Sequence, residues 1–186
     1  MPHCWQNALR ATLNRLTKAE QPFRLAILGV GQELRGDDGV GLAVVRGLRP
    51  YAHPNLLLVE AAHAPENCTG QVRRFAPDLV LLVDAAQMDA PPGTIRWLDW
   101  RNCDGLSAST HTMPLSLLGE YFTAVLPCEV ALIGIQPASL DLGETLSPEA
   151  TAAAAQVVEA LAGMDWTIPA SRSVGTTPLP APHLQP

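Results

Sequence analysis

Lysine is almost absent from this 186-residue chain: Lys18 stands alone beside eleven arginines. A mechanism that needs a lysine at a strand end has almost nothing to draw on. Basic clusters are missing too, and with a net charge of −6 the chain has no electrostatic footprint for nucleic acid. No apolar run approaches the roughly 20 residues of a membrane span. The first residues lack the charged-then-apolar order of a secretory signal, so the expected location is the cytoplasm. Cys4, Cys68, Cys103 and Cys128 form no Cys-x-x-Cys pair, which argues against a disulfide frame and against a thiolate zinc site.

Apolar residues, in contrast, make up 47% of the chain, enough to bury one domain's core. Their pattern alternates between two kinds of segment. Residues 24–30, 79–83 and 129–135 are near-continuous apolar runs, as expected of strands buried on both faces. Residues 55–59 form another strand ending in Glu60, and 94–98 alternate like a shorter strand near a sheet edge. Between them lie helical periods over 40–49, 68–75, 114–126 and 148–162, with Ser147 as N-cap of the last. Trp5, Leu9, Leu13 and Leu16 give residues 4–19 one apolar face, a helix packed on the outside of the core. Strands alternating with helices predict a three-layer α/β/α sandwich around a mostly parallel, about five-stranded twisted sheet. The expected domain covers 1–166, with 1–23 as an N-terminal helical extension. Residues 167–186, rich in proline and poor in apolar content, are expected to be a disordered tail.

In such a fold the carboxyl ends of the strands share one edge, where ligands bind. The first strand breaks there into GVGQELRGDDGVG (29–41), with Gly31, Gln32 and Gly39 as loop-forming residues around Asp37 and Asp38. Asp37 reads as a turn or N-cap residue before the following helix. Asp84 ends an apolar strand, where a charge costs desolvation unless it is used. His111 can join Asp38 and Asp84 from the loop before its helix; His63 is a less favoured candidate. Two carboxylates at one site either share a proton, giving an acid and a base, or hold a divalent cation. An added imidazole favours a borderline metal such as Ni²⁺ or Zn²⁺ and leaves coordination positions open. Neither Cys68 nor Cys103 has a nucleophile's context, and both read as packing residues.

The motifs GVGQELRGDDGVG (29–41), EAAHAPEN (60–67), LLVDA (81–85), STHTMPL (109–115) and LIGIQP (132–137), in this order, resemble those of the nickel–iron hydrogenase maturation endopeptidases. The HTMP and GIQP segments look most like the branch serving formate-hydrogenlyase-type hydrogenases. That resemblance implies a mixed five-stranded sheet between helices and a peptidase, aspartic-type or metal-assisted. It carries the metal-coordinating positions onto Asp38, Asp84 and His111, with Asp38 and Asp84 catalytic. It further implies that the nickel arrives with the substrate, a hydrogenase large-subunit precursor whose C-terminal extension is removed, and that no nucleotide is used. The protein is expected to be a monomer. Gln32 departs from the family's usual asparagine by one methylene.

Three rival readings stand beside this one. A dinucleotide-binding domain would use Gly29, Gly31 and Glu60, but Leu34 occupies the third glycine position and two aspartates would face the pyrophosphate. A phosphoacceptor switch would need a lysine after the last strand, where Gly134-Ile135-Gln136-Pro137 stands. A non-catalytic relative that only binds metal or a partner would keep the acidic site without the chemistry.

Overall fold

The computed structural model describes residues 4–16, 22–103, 113–143 and 145–164. The expected tail, 167–186, lies outside them, as do the end of the predicted N-terminal helix and His111. Within the described residues the strands are β1 (Leu25–Val30), β2 (Leu56–Ala62), β3 (Leu79–Ala85), β4 (Ile95–Leu98) and β5 (Glu129–Ile135). They form one sheet in the order β2-β1-β3-β5-β4. The first four neighbours run parallel and only β4 is antiparallel, at the edge.

The period-2 geometry of a strand sends alternate side chains to opposite faces, and here both faces are covered. Leu25, Ile27, Leu79, Leu81, Val83, Ile133 and Ile135 pack on one side with α1 (Cys4–Leu16), α2 (Val40–Leu48) and α5 (Pro148–Ala162). Ala26, Leu28, Val30, Val80, Leu82 and Leu132 pack on the other with α3 (Thr69–Phe75) and α4 (Leu115–Val125). This double burial explains why the central strands read as unbroken apolar runs. Trp5 and Leu9 of α1 are buried in the first cluster, and Arg15 near its end forms an ion pair with Glu129 at the start of β5. The N-terminal helix is therefore part of the core's cover.

Several boundaries differ from the sequence reading; β3 runs past Val83 to Ala85, so Asp84 lies inside the strand rather than at its end. Strand β2 continues past Glu60 to Ala62, because the β1–β2 register slips after Gly29 and leaves Val30 opposite Ala62. The helix expected over 40–49 ends at Leu48, and a short 3₁₀ turn follows over Arg49–Tyr51, where the missing N–H of Pro50 is not needed. No helix among the described residues is long and apolar enough to cross a membrane.

Candidate active site

The loop after β1 is built on backbone-to-backbone contact. Gly31 has a φ of 122° and donates its N–H to Ala62 O at 3.1 Å. A side chain there would be strained, and its Cβ would fall 1.7 Å from the Asp38 carbonyl oxygen. Beyond it the chain makes two successive turns, Arg35 N to Gln32 O at 3.1 Å and Asp38 N to Arg35 O at 3.0 Å. The Asp38 side chain then closes the loop on itself: Oδ2 accepts the Gln32 main-chain N–H at 2.8 Å. Gln32 thus serves through its backbone, which its extra methylene leaves untouched.

From Gly39 the chain enters α2, whose first turn sits directly on the strand ends. A Cβ on Gly41 would lie 2.3 Å from Val83 O and 2.4 Å from Val30 O. Val83 precedes Asp84, which lies inside β3 opposite Gly134 of β5. The close seating of α2 across β1 and β3 therefore brings the Asp38 loop and Asp84 to the same carboxyl edge. Both aspartates are 1% exposed. Asp38 Oδ1 is buried without a hydrogen-bond partner among the described residues. Burial raises the Asp38 pKa above the ordinary carboxylate value, against the opposing pull of the Gln32 N–H and of nearby Arg35.

Asp37, also 1% exposed, does something else. Its Oδ1 accepts from Ser147 N at 2.6 Å, and its Oδ2 accepts from Ala138 N at 2.7 Å and from Ser147 Oγ at 2.8 Å. Ser147 Oγ in turn accepts from Ala150 N and caps α5. The expected cap role for Asp37 at its own helix is therefore corrected: Asp37 reaches 110 residues along the chain and holds the N-terminus of α5. A buried carboxylate needs donors, and local sequence offered no sign that they would come from so far away. Gln136, just after β5, plays a similar part. It is 6% exposed, its Oε1 accepts from Met88 N at 2.6 Å, and its Nε2 donates to Gln87 Oε1 at 2.9 Å. That ties the segment after β3 to the end of β5.

The remaining expectations sort clearly. Asp38 and Asp84 lie at the same edge, Gly31, Gln32 and Gly39 belong to the loop, and His111 lies outside the described residues. Among the described residues no three His, Cys, Asp or Glu side chains converge as a metal site. His63 is exposed. Glu60 pairs with Arg46 and Arg49, and Leu34 is 64% exposed, so the dinucleotide fingerprint finds neither its acidic ribose ligand nor its third glycine. The Cys103 thiol is buried and donates to Trp100 O at 3.0 Å, and burial raises the Cys68 thiol's pKa. Both suit packing and neither suits nucleophilic attack.

A doubly covered, mostly parallel sheet with buried carboxylates at its carboxyl edge defines an α/β fold, with those carboxylates where such folds bind ligands. Residues 42–164 match the family model of HycI, hydrogenase maturation protease; the match takes in Asp84 and His111 and begins just after Asp38. Over 112 residues the chain is 33% identical to the hydrogenase 3 maturation protease of Escherichia coli K12, covering 60% of this chain and 71% of that protein. The crystal structure of the NiFe hydrogenase maturation protease HycI from Thermococcus kodakarensis KOD1 aligns with a TM-score of 0.71 and 30% identity, over 81% of this chain and 96% of that one. The solution structure of the E. coli endopeptidase HycI aligns at 0.69 and 28%, over 78% and 95%. The chain belongs to the hydrogenase maturation protease family.

Proposed function

We propose that this protein is the endopeptidase that removes the C-terminal extension of a nickel–iron hydrogenase large-subunit precursor, acting as a cytoplasmic monomer on precursor already loaded with nickel. In this reading Asp38, Asp84 and His111 meet the nickel that the precursor brings, and no nucleotide takes part. The observation that carries it is Asp38 Oδ1: a carboxylate oxygen buried at the sheet edge that also holds the buried Asp84, without a hydrogen-bond partner among the described residues. Such an atom costs stability and is retained where it has something to receive.

The chemistry follows from that atom. A cation arriving at Asp38 favours its ionised form against the burial that opposes it. A carboxylate of the pair Asp38 and Asp84 that the cation leaves free can then take a proton from water as the hydroxyl adds to the scissile carbonyl carbon. Collapse of the tetrahedral intermediate breaks the C–N bond, and the proton passes to the departing amine. Nickel beside the carbonyl oxygen would draw off the developing negative charge.

The test is cleavage of nickel-loaded and nickel-free precursor by the wild type and by Asp38→Asn, Asp84→Asn and His111→Ala. Cleavage of the loaded precursor alone is expected, with each substitution lowering kcat at least 100-fold, about the lower contribution of a general base. Equal cleavage of nickel-free precursor would overturn the nickel requirement. Full activity in all three variants would overturn the site.

A further inference from the structure

We infer that the ridge formed by Leu34 and Leu142, with the groove beside it, is the surface on which the precursor polypeptide docks; this rests on the proposed function. Leu142 is 78% and Leu34 64% exposed, more than any other large apolar side chain in the described residues. Single exposed leucines need no explanation, but these two come from separate loops sewn together. Gly143 N donates to Leu34 O at 2.8 Å, and Arg35 Nε donates to Leu140 O at 3.4 Å. The loop after β1 and the loop after β5 thus present one apolar edge. Beside it lies a groove of about 400 Å³ lined by Leu34, Ala43, Leu146 and Gly39, with the Arg46–Glu33 ion pair at its rim. Its chemistry fits an apolar side chain of a polypeptide.

The occupant follows from distance. A protein substrate whose scissile bond reaches Asp38 must cover the surface around it. A standard interface takes about 800 Å² from each partner, a disc of about 16 Å radius. Leu34 precedes Asp38 by four residues, so their Cα atoms are at most about 14 Å apart even in extended chain. They are held closer, because Leu34 lies within the loop that the Asp38 carboxylate closes through Gln32 N. Leu142 is bound to that loop through its neighbour Gly143. The two most exposed large apolar side chains of the described residues therefore fall inside the footprint that a precursor must occupy.

The experiment is steady-state cleavage of nickel-loaded precursor by the wild type, by Leu34→Ser/Leu142→Ser, and by Tyr51→Ser. Tyr51 is 48% exposed and follows α2, toward the opposite edge of the sheet. The double variant is expected to raise KM at least tenfold, equivalent to about 1.4 kcal/mol, with its melting temperature within about 2 °C of wild type because no core contact is lost. Tyr51→Ser is expected to leave KM unchanged. An unchanged KM in the double variant, a fall in kcat alone, or an equal rise in KM with Tyr51→Ser would each overturn the docking inference while leaving the protease reading intact. Failure of the wild type to cut loaded precursor would instead overturn the function and the inference with it.

Discussion

Removing the Asp37 carboxylate tests whether the acidic pair is divided between scaffold and chemistry. Asp37→Ala deletes three hydrogen bonds, to Ser147 N, Ser147 Oγ and Ala138 N, at 2.6–2.8 Å. Bonds to a charged group contribute roughly 1.5–3 kcal/mol each, so simple addition gives about 4.5–9 kcal/mol. The lower end is the better figure, because Ser147 Oγ keeps its bond with Ala150 N and water can reach part of the vacated space. A loss of about 4 kcal/mol is expected, a large share of the 5–15 kcal/mol that typically holds a domain together. In a domain of this size it lowers the melting temperature by roughly 8–16 °C. Asp37→Asn falls between, since whichever oxygen becomes an amide nitrogen then faces a main-chain N–H. Urea unfolding followed by far-UV circular dichroism, with the slope checked for constancy, measures the loss. Ser147→Ala and the double variant complete a cycle, with a coupling of about 1–3 kcal/mol expected for groups in direct contact. A loss below about 1 kcal/mol in Asp37→Ala, or strict additivity in the cycle, would refute the reasoning.

Two further outcomes follow from the same loop. Because burial raises the Asp38 pKa, its neutral form is favoured in the folded protein. That contribution is complete below the ordinary carboxylate value, near pH 4, and is lost as pH rises through the raised folded value. Asp38→Asn should therefore melt above wild type at pH 8 and lose that advantage below about pH 4, while losing cleavage throughout; a lower melting temperature at pH 8 would contradict it. Gly41→Ala drives a Cβ into the main-chain oxygens of Val83 and Val30, neither of which can yield within a packed sheet. Calorimetry should show a loss of about 3 kcal/mol or more, and a variant as stable as wild type would show that α2 is not seated as described.

The sheet was legible in the sequence because its central strands are buried on both faces and so appear as bare apolar runs. Strand β5, Glu129–Ile135, is found where the composition places it. The edge position of β4 was legible from its alternation, and the α5 cap from Ser147 ahead of Pro148. Strand order was not: that β5 lies between β3 and an antiparallel β4 is a matter of packing that no local pattern encodes. The common edge of the Asp38 loop and Asp84 was readable from the rule that strand ends share an edge. The partners of Asp37 were not, because they lie more than 100 residues away and a carboxylate's donors leave no mark beside it. Glu60 showed the opposite failing. It stood at a suggestive place, but Arg46 and Arg49 from α2 and the turn after it engage it at the surface.

The closure of the loop by Asp38 also limits what that residue can offer. With Oδ2 committed to the Gln32 N–H, only Oδ1 remains for anything that enters. Asp38 is thereby made a monodentate group by its own backbone. Under the proposed function, a cation would be held there at one point rather than chelated, a suitable property for a side chain that would have to meet an ion and then let it leave with its owner.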